Sequence, residues 1–134
     1  QFLNADQLDR LGKHGKILLV KSFKWEGVYS IPGGHIKYGE TIEDACKREV
    51  KEKDGLDVSF DKVLFVQEAV FPKDYHKTDK HFIFLECVCT ANSDNVKLDN
   101  REMQEYVWIE PGKALKLDLD PYTRKFIEKH LSGN

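Results

Sequence analysis

Apolar residues recur along the chain with two different periods, and these periods predict both strands and helices. Runs rich in β-branched and aromatic residues predict strands at residues 16–23, 28–34, 57–71, 81–91 and 105–111, and the run at 57–71 fits either one long strand or two short ones. Apolar residues three or four positions apart predict helices at 42–54 and 121–131. The order of these elements predicts an α/β (α+β) fold, in which a mixed sheet is covered by helices on both faces.

The first predicted helix carries sequence signals at both of its ends. Thr41 can cap the N-terminus, with Asp44 three residues later as its partner in a capping box. Gly55 is suited to end the helix, because glycine readily adopts the left-handed conformation. The apolar stripe of this helix consists of Ile42, Ala45, Cys46 and Val50. In the second helix the residues predicted to point inward are Tyr122, Phe126, Ile127 and Leu131.

Composition narrows the class of protein without indicating a function. The 134 residues are 40% hydrophobic and 33% charged, as in ordinary soluble domains, and we expect one domain spanning 1–134. A net charge of −2 gives no electrostatic reason to expect nucleic acid or a membrane as a partner. No apolar run approaches the ~18 residues of a membrane span. Three cysteines without a CxxC spacing predict reduced thiols and a cytoplasmic location. Because the chain begins at Gln1, we expect residues upstream of it.

The stretch from Gly33 to Leu56 gathers carboxylates beside a glycine pair. Glu49 and Glu52 lie one helical turn apart, so both can reach one point, and the Gly33 carbonyl can turn toward the same point. Such oxygen donors suit Mg²⁺ or Mn²⁺ rather than zinc, and magnesium completes its coordination with water and substrate phosphates. The alternative is a solvated helix face, on which these acids only form i,i+4 ion pairs with neighbouring bases.

This stretch resembles the signature of the Nudix hydrolases, the MutT-like family. Residues 34–56 match the family box at Gly34, Glu40, Arg48, Glu49, Val50, Glu52, Gly55 and Leu56. The departure is Lys53, which stands where the family has the second glutamate of a Glu-Glu pair. The resemblance implies an α/β/α sandwich. It also implies a pyrophosphohydrolase that uses Mg²⁺ or Mn²⁺ and cleaves a nucleoside diphosphate linked to another group, by water attack on phosphorus.

The resemblance also implies roles for individual residues. The implied metal ligands are Gly33, Glu49, Glu52 and a later glutamate, for which Glu105 is preferred to Glu102. One of the two box glutamates would be the base acting on water, and Arg48 would orient a box glutamate. The implied structural residues are Gly34, Glu40 and Gly55. We expect a nucleotide such as a (deoxy)nucleoside triphosphate as substrate, and a monomer or homodimer.

Basic and aromatic residues near the box are candidates for binding substrate. The candidates for contacts with phosphates or a base are Lys21, Tyr29, Lys37 and Lys53. Further aromatic candidates for stacking a base are Phe23, Trp25, Phe71 and Tyr75.

Lys53 leaves three outcomes open, because a protonated lysine cannot bind a metal and adds a positive charge beside one. The enzyme works with fewer metals while Lys53 contacts a phosphate, or it works slowly, or the domain binds a nucleotide without turnover. Diphosphate isomerase chemistry is disfavoured, since no cysteine lies in an evident catalytic loop.

Overall fold

The computed structural model describes residues 2–6, 15–73, 75–77, 79–98 and 103–132. The strands in this part of the chain are β1 (Phe2–Asp6), β2 (Ile17–Ser22), β3 (Val58–Val70), β4 (His81–Ala91) and β5 (Met103–Ile109). The helices are α1 (Ile42–Asp54), α2 (Pro111–Ala114) and α3 (Pro121–Leu131). Both predicted helices and four of the predicted strands are therefore confirmed. The strand β1 and the short helix α2 were not predicted.

The five strands form one mixed sheet in the order β3-β4-β1-β2-β5. Strand β1 pairs in parallel with β4 and antiparallel with β2. The β3–β4 and β2–β5 pairs are antiparallel. The predicted mixed sheet is thus confirmed, with β1 in the middle of it.

Helices cover the two faces of the sheet because successive side chains of each strand point to opposite sides. Along β2, Leu18 and Val20 are buried in the same cluster as Cys46 and Val50 of α1. The alternate residues of β2 are buried on the other face, together with buried residues of α2 and α3: Ile17, Leu19, Ala114, Phe126 and Ile127. In the described part of the chain, no helix has the length and apolar character needed to cross a membrane.

Two local predictions were wrong. Residues 28–34 do not form a strand, since only Tyr29 and Ser30 make isolated bridges, to Leu119 and Val20 respectively. The segment leaves the sheet because Pro32 has no backbone N–H to donate and two glycines follow it. In α3, Leu131 is 50% exposed rather than inward, because it lies in the last turn of the helix, beyond the buried pair at 126 and 127.

Candidate active site

Helix α1 positions the box carboxylates, and local hydrogen bonds fix where it begins and ends. The Thr41 hydroxyl accepts a hydrogen bond from the backbone N–H of Asp44 at 3.1 Å, as predicted for the N-cap. Gly55 ends the helix with a left-handed φ of 71°. Because both ends are fixed, Arg48, Glu49 and Glu52 occupy defined places on consecutive turns of one helix.

Arg48 is the centre of a hydrogen-bonded network of carboxylates. Its guanidinium donates to both oxygens of Glu40, at 2.6 and 2.8 Å, and to Glu49 Oε1 at 2.8 Å. It also donates to Glu52 Oε2 at 3.3 Å and to the His35 carbonyl at 2.9 Å. One arginine therefore joins the loop before α1 to the two glutamates on the helix, and bidentate pairing of this kind gives geometric specificity.

Glu40 anchors this network from the loop. Its Oε1 accepts a hydrogen bond from the backbone N–H of Lys37 at 3.0 Å, and its own N–H donates to the Lys37 carbonyl. The hydrogen bonds from Arg48 and then from Lys37 lower the pKa of Glu40 to about 2, because they stabilise the charged carboxylate. Lys37 itself is exposed, and its backbone is the part that contacts the network.

Lys53 lies between the two groups that the family resemblance assigns to a metal. Its Nζ donates to the Gly33 carbonyl at 2.6 Å and lies 3.3 Å from Glu49 Oε2. The second contact is an ion pair without the geometry of a hydrogen bond, and Glu49 Oε2 is a buried oxygen that accepts no hydrogen bond from the described residues. Glu49 is 8% exposed and packs so closely on Gly34 that any side chain there would collide with it.

Three of the four predicted metal ligands lie around Arg48 and Lys53, because Arg48 bonds to Glu49 and Glu52 while Lys53 Nζ lies against Gly33 and Glu49. Across the described residues, no three His, Cys, Asp or Glu side chains form a metal-binding group. The oxygens of Gly33 and Glu49 do not fit a divalent ion in this arrangement, since the Lys53 ammonium already lies against both. Glu52 differs, because its side chain is 55% exposed and its contact with Arg48 is longer, at 3.3 Å.

Glu105 lies away from α1. It pairs with Lys21 at 3.4 Å, opposite that residue in the β2–β5 ladder. Val107, two residues further along β5, packs on the α3 face of the sheet, so Glu105 points to that face rather than toward α1. Lys21 Nζ also lies 4.8 Å from the centre of the Tyr29 ring. Lys21, Tyr29 and Glu105 thus form a group apart from the box, and Glu102 lies outside the described residues.

A cavity of about 340 Å³ adjoins the box loop, with Gly33 and Gly34 in its wall. Four aromatic residues line it. Trp25 and Tyr75 make an edge contact at 4.9 Å, and Phe82 and Phe84 are stacked at 5.2 Å between ring centres. The remaining aromatic candidates do not line the cavity: Phe23, Tyr29 and Phe71.

The sequence did not identify Phe82 and Phe84 as cavity residues, because aromatic residues in an apolar strand usually indicate the hydrophobic core. Their spacing of two residues was the available signal, since it places both rings on one face of β4, near the start of the strand. Ser22 and Ser30 add polar groups to the lining of the cavity, and Lys24 adds a basic residue.

Comparisons with known proteins agree on one family. A family model described as the NUDIX domain matches residues 4–130. The nucleoside triphosphatase NudI of Escherichia coli K12 is 31% identical over 120 residues, covering 83% of this chain and 84% of that protein.

Solved structures agree on the fold. An Ap4A hydrolase of C. elegans, in a binary complex, superposes with a TM-score of 0.74 at 20% identity, over 99% of this chain and 96% of that one. A MutT protein from Methanosarcina mazei Go1 superposes with a TM-score of 0.72 at 22% identity, over 99% and 91% of the two chains. These likenesses confirm the α/β/α sandwich expected from the sequence.

Proposed function

Because this chain belongs to the Nudix family of hydrolases, which act on phosphoric anhydrides, we propose that it hydrolyses a nucleoside triphosphate with the help of a divalent metal ion. The observation that carries the proposal is the position of the Arg48 carboxylate network next to an aromatic cavity. Gly33 and Gly34 line this cavity and also contact Lys53 and Glu49, respectively. A nucleotide needs these two environments side by side, one for its phosphates and one for its base.

The choice of substrate class rests on the similarity to NudI and on the size of the cavity. NudI is described as a nucleoside triphosphatase, and the identity extends over most of both chains. A cavity of about 340 Å³ lies at the small end of the range typical of ligand sites, so it suits one base rather than two. Aromatic walls stack any base, at about 1–3 kcal/mol per base. The proposal therefore favours a mononucleotide over a dinucleotide.

Glu52 is the box carboxylate best placed to act on the reaction. Glu49 is occupied by Arg48 and Lys53, whereas Glu52 is exposed and has only a 3.3 Å contact with Arg48. In the proposed reaction a water oxygen forms a bond to one phosphorus of the anhydride and the bridging P–O bond at that phosphorus breaks. The phosphate group on the other side of the bridging oxygen leaves with the electron pair of the broken bond. Glu52 would hold the metal ion or receive the proton of this water. A bound Mg²⁺ would neutralise phosphate charge and lower the pKa of water.

The experiment is a survey of nucleotides with purified protein. The common ribo- and deoxyribonucleoside triphosphates, diadenosine tetraphosphate and ADP-ribose are each incubated with Mg²⁺ or Mn²⁺, and released phosphate and pyrophosphate are measured. We expect one or more triphosphates to be hydrolysed faster than the dinucleotides. Glu52→Gln removes the charge of an exposed side chain, so it should lower kcat by about 10²-fold or more without unfolding the protein.

Glu43→Gln is the matched control for Glu52→Gln. Glu43 is an exposed glutamate on the same helix and pairs with Lys47 at 2.9 Å, away from the network. Its substitution should leave kcat unchanged. If no nucleotide is hydrolysed with either metal, or if Glu52→Gln is as active as the native protein, the proposal fails. Nucleotide binding without any turnover would instead identify a silent nucleotide-binding domain.

A further inference from the structure

The positive charge of Lys53 is largely buried at the point where the box loop meets α1. This residue lies in the last turn of α1, and its side chain is only 14% exposed. Its Nζ contacts the Gly33 carbonyl, 20 residues earlier in the chain, at 2.6 Å. The same atom forms an ion pair at 3.3 Å with Glu49 Oε2, a buried oxygen that accepts no hydrogen bond from the described residues. A cation therefore already lies between a backbone carbonyl and a buried carboxylate.

We propose that the Lys53 ammonium is a built-in cation that fills the Gly33–Glu49 position, so that the protein without nucleotide takes no divalent ion there. The metal ion then enters only together with the nucleotide, and Glu52 binds it. The entry of metal with the nucleotide rests on the proposed function. The exclusion of metal from the Gly33–Glu49 position does not, because it concerns the protein without nucleotide.

The exclusion follows from distances and charge. Mg²⁺ binds oxygen at about 2.0–2.1 Å, so an ion bound to both the Gly33 carbonyl and Glu49 would need the space that Nζ occupies. Two cations that close, beside side chains that are only 14% and 10% exposed, repel each other strongly. The ammonium can leave only if its long side chain moves away from the Gly33 carbonyl and Glu49.

Charge in the network points the same way. The network contains three carboxylates and two cations: Glu40, Glu49, Glu52, Arg48 and Lys53. The two positive charges compensate two of the three negative ones. The cluster is left with a single negative charge, which is a weak attraction for a divalent ion. A glutamate at position 53 would raise the negative charge and add a ligand, and metal affinity rises with the number of charged ligands.

Lysine at this position also does what a metal would do for the fold. By joining Gly33 to Glu49, it ties the box loop to α1 in the absence of any ion. The loop should therefore be in place before metal arrives, and the thermal stability of the free protein should not depend on Mg²⁺.

Mn²⁺ binding by the full chain without nucleotide tests the proposal, with free Mn²⁺ followed by electron paramagnetic resonance. We expect weak binding by the native protein. Lys53→Met removes the cation at similar length and should tighten binding, and Lys53→Glu should tighten it further, by about 10- to 100-fold. Lys51→Met is the matched control, because Lys51 is on the same helix but pairs with Asp57 at 3.3 Å, away from Gly33. It should bind Mn²⁺ as the native protein does.

Glu49→Gln, made separately in the native chain and in the Lys53→Glu variant, locates the ion. It should leave the weak native binding unchanged and abolish the binding gained by Lys53→Glu. Thermal unfolding in EDTA and in Mg²⁺ should give one melting temperature for the native protein and a higher one with Mg²⁺ for Lys53→Glu.

Two results would overturn the inference. One is equal Mn²⁺ affinity in native, Lys53→Met and Lys53→Glu proteins. The other is native binding that weakens on Glu49→Gln, a comparison that holds even if the Lys53 variants fail to fold. None of these readouts uses turnover, so an inactive protein with the expected metal binding would refute the proposed function while leaving this inference standing.

Discussion

Substitution of Gly34 by alanine tests whether the placement of Glu49 matters to the reaction. A Cβ at this position would lie 2.6 Å from Glu49 Cγ and still nearer to Cδ and Oε2. Ordinary contact begins at about 3.4 Å, so Glu49 Cγ must move by about 0.8 Å, and Cδ and Oε2 must move further. Gly34 does not have a positive φ, so alanine can adopt its backbone conformation without strain.

The expected loss of activity follows from that displacement. A misplacement of about 1 Å near reacting groups can lower the rate by about 10²-fold, equivalent to about 2.7 kcal/mol in the activation free energy. Moving Glu49 also disturbs its hydrogen bond from Arg48 at 2.8 Å and its ion pair with Lys53 at 3.3 Å. Overpacking of this kind lowers the free energy of unfolding by about 1–3 kcal/mol.

The assay measures kcat and KM with the best triphosphate from the survey, alongside thermal unfolding. Gly112→Ala is the control, because a Cβ there meets no atom within 4 Å and the residue lies in α2, far along the chain from the box. We expect Gly34→Ala to lower kcat by about 10²-fold and Gly112→Ala to leave it unchanged. A folded Gly34→Ala protein with native kcat would refute the claim that Glu49 must stay where it is.

Three further predictions concern titration and thiol reactivity. Because the pKa of Glu40 is lowered to about 2, the contribution of Glu40 to stability is complete above pH 4.5 and is lost as the pH falls toward 2. Urea unfolding of the native protein should show this loss of stability at low pH, and the same loss should be absent from Glu40→Gln. Burial raises the pKa of Glu86 to about 7, so the free energy of unfolding should fall as pH rises from 4.5 to 7 in the native protein but not in Glu86→Gln; an identical pH profile in both would contradict this. The three cysteines are fully buried: Cys46, Cys87 and Cys89. A hydrogen bond with Cys46, together with burial, raises the pKa of Cys87. A thiol reagent should therefore label no cysteine until denaturant is added, and rapid labelling of the folded protein would contradict this burial.

Features that depend on near neighbours in the chain could be predicted from sequence. Helix α1 begins and ends where Thr41 and Gly55 indicate, because capping bonds join residues three or four apart. Strand β4 matches its predicted bounds because its apolar run is continuous. The segment at 28–34 failed as a strand because strand formation also needs a partner along its whole length, which these residues lack beyond two bridges.

Tertiary structure decided which distant groups meet. The sequence alone determined that the chain has the carboxylates of a Nudix box and that Lys53 departs from it. Only the folded chain shows that the ammonium meets the Gly33 carbonyl as well as Glu49, and that Glu105 points to the other face of the sheet. The reason is physical: periodicity reports which face of its own element a residue lies on, whereas contacts across 20 or more residues depend on how elements pack and on strand order.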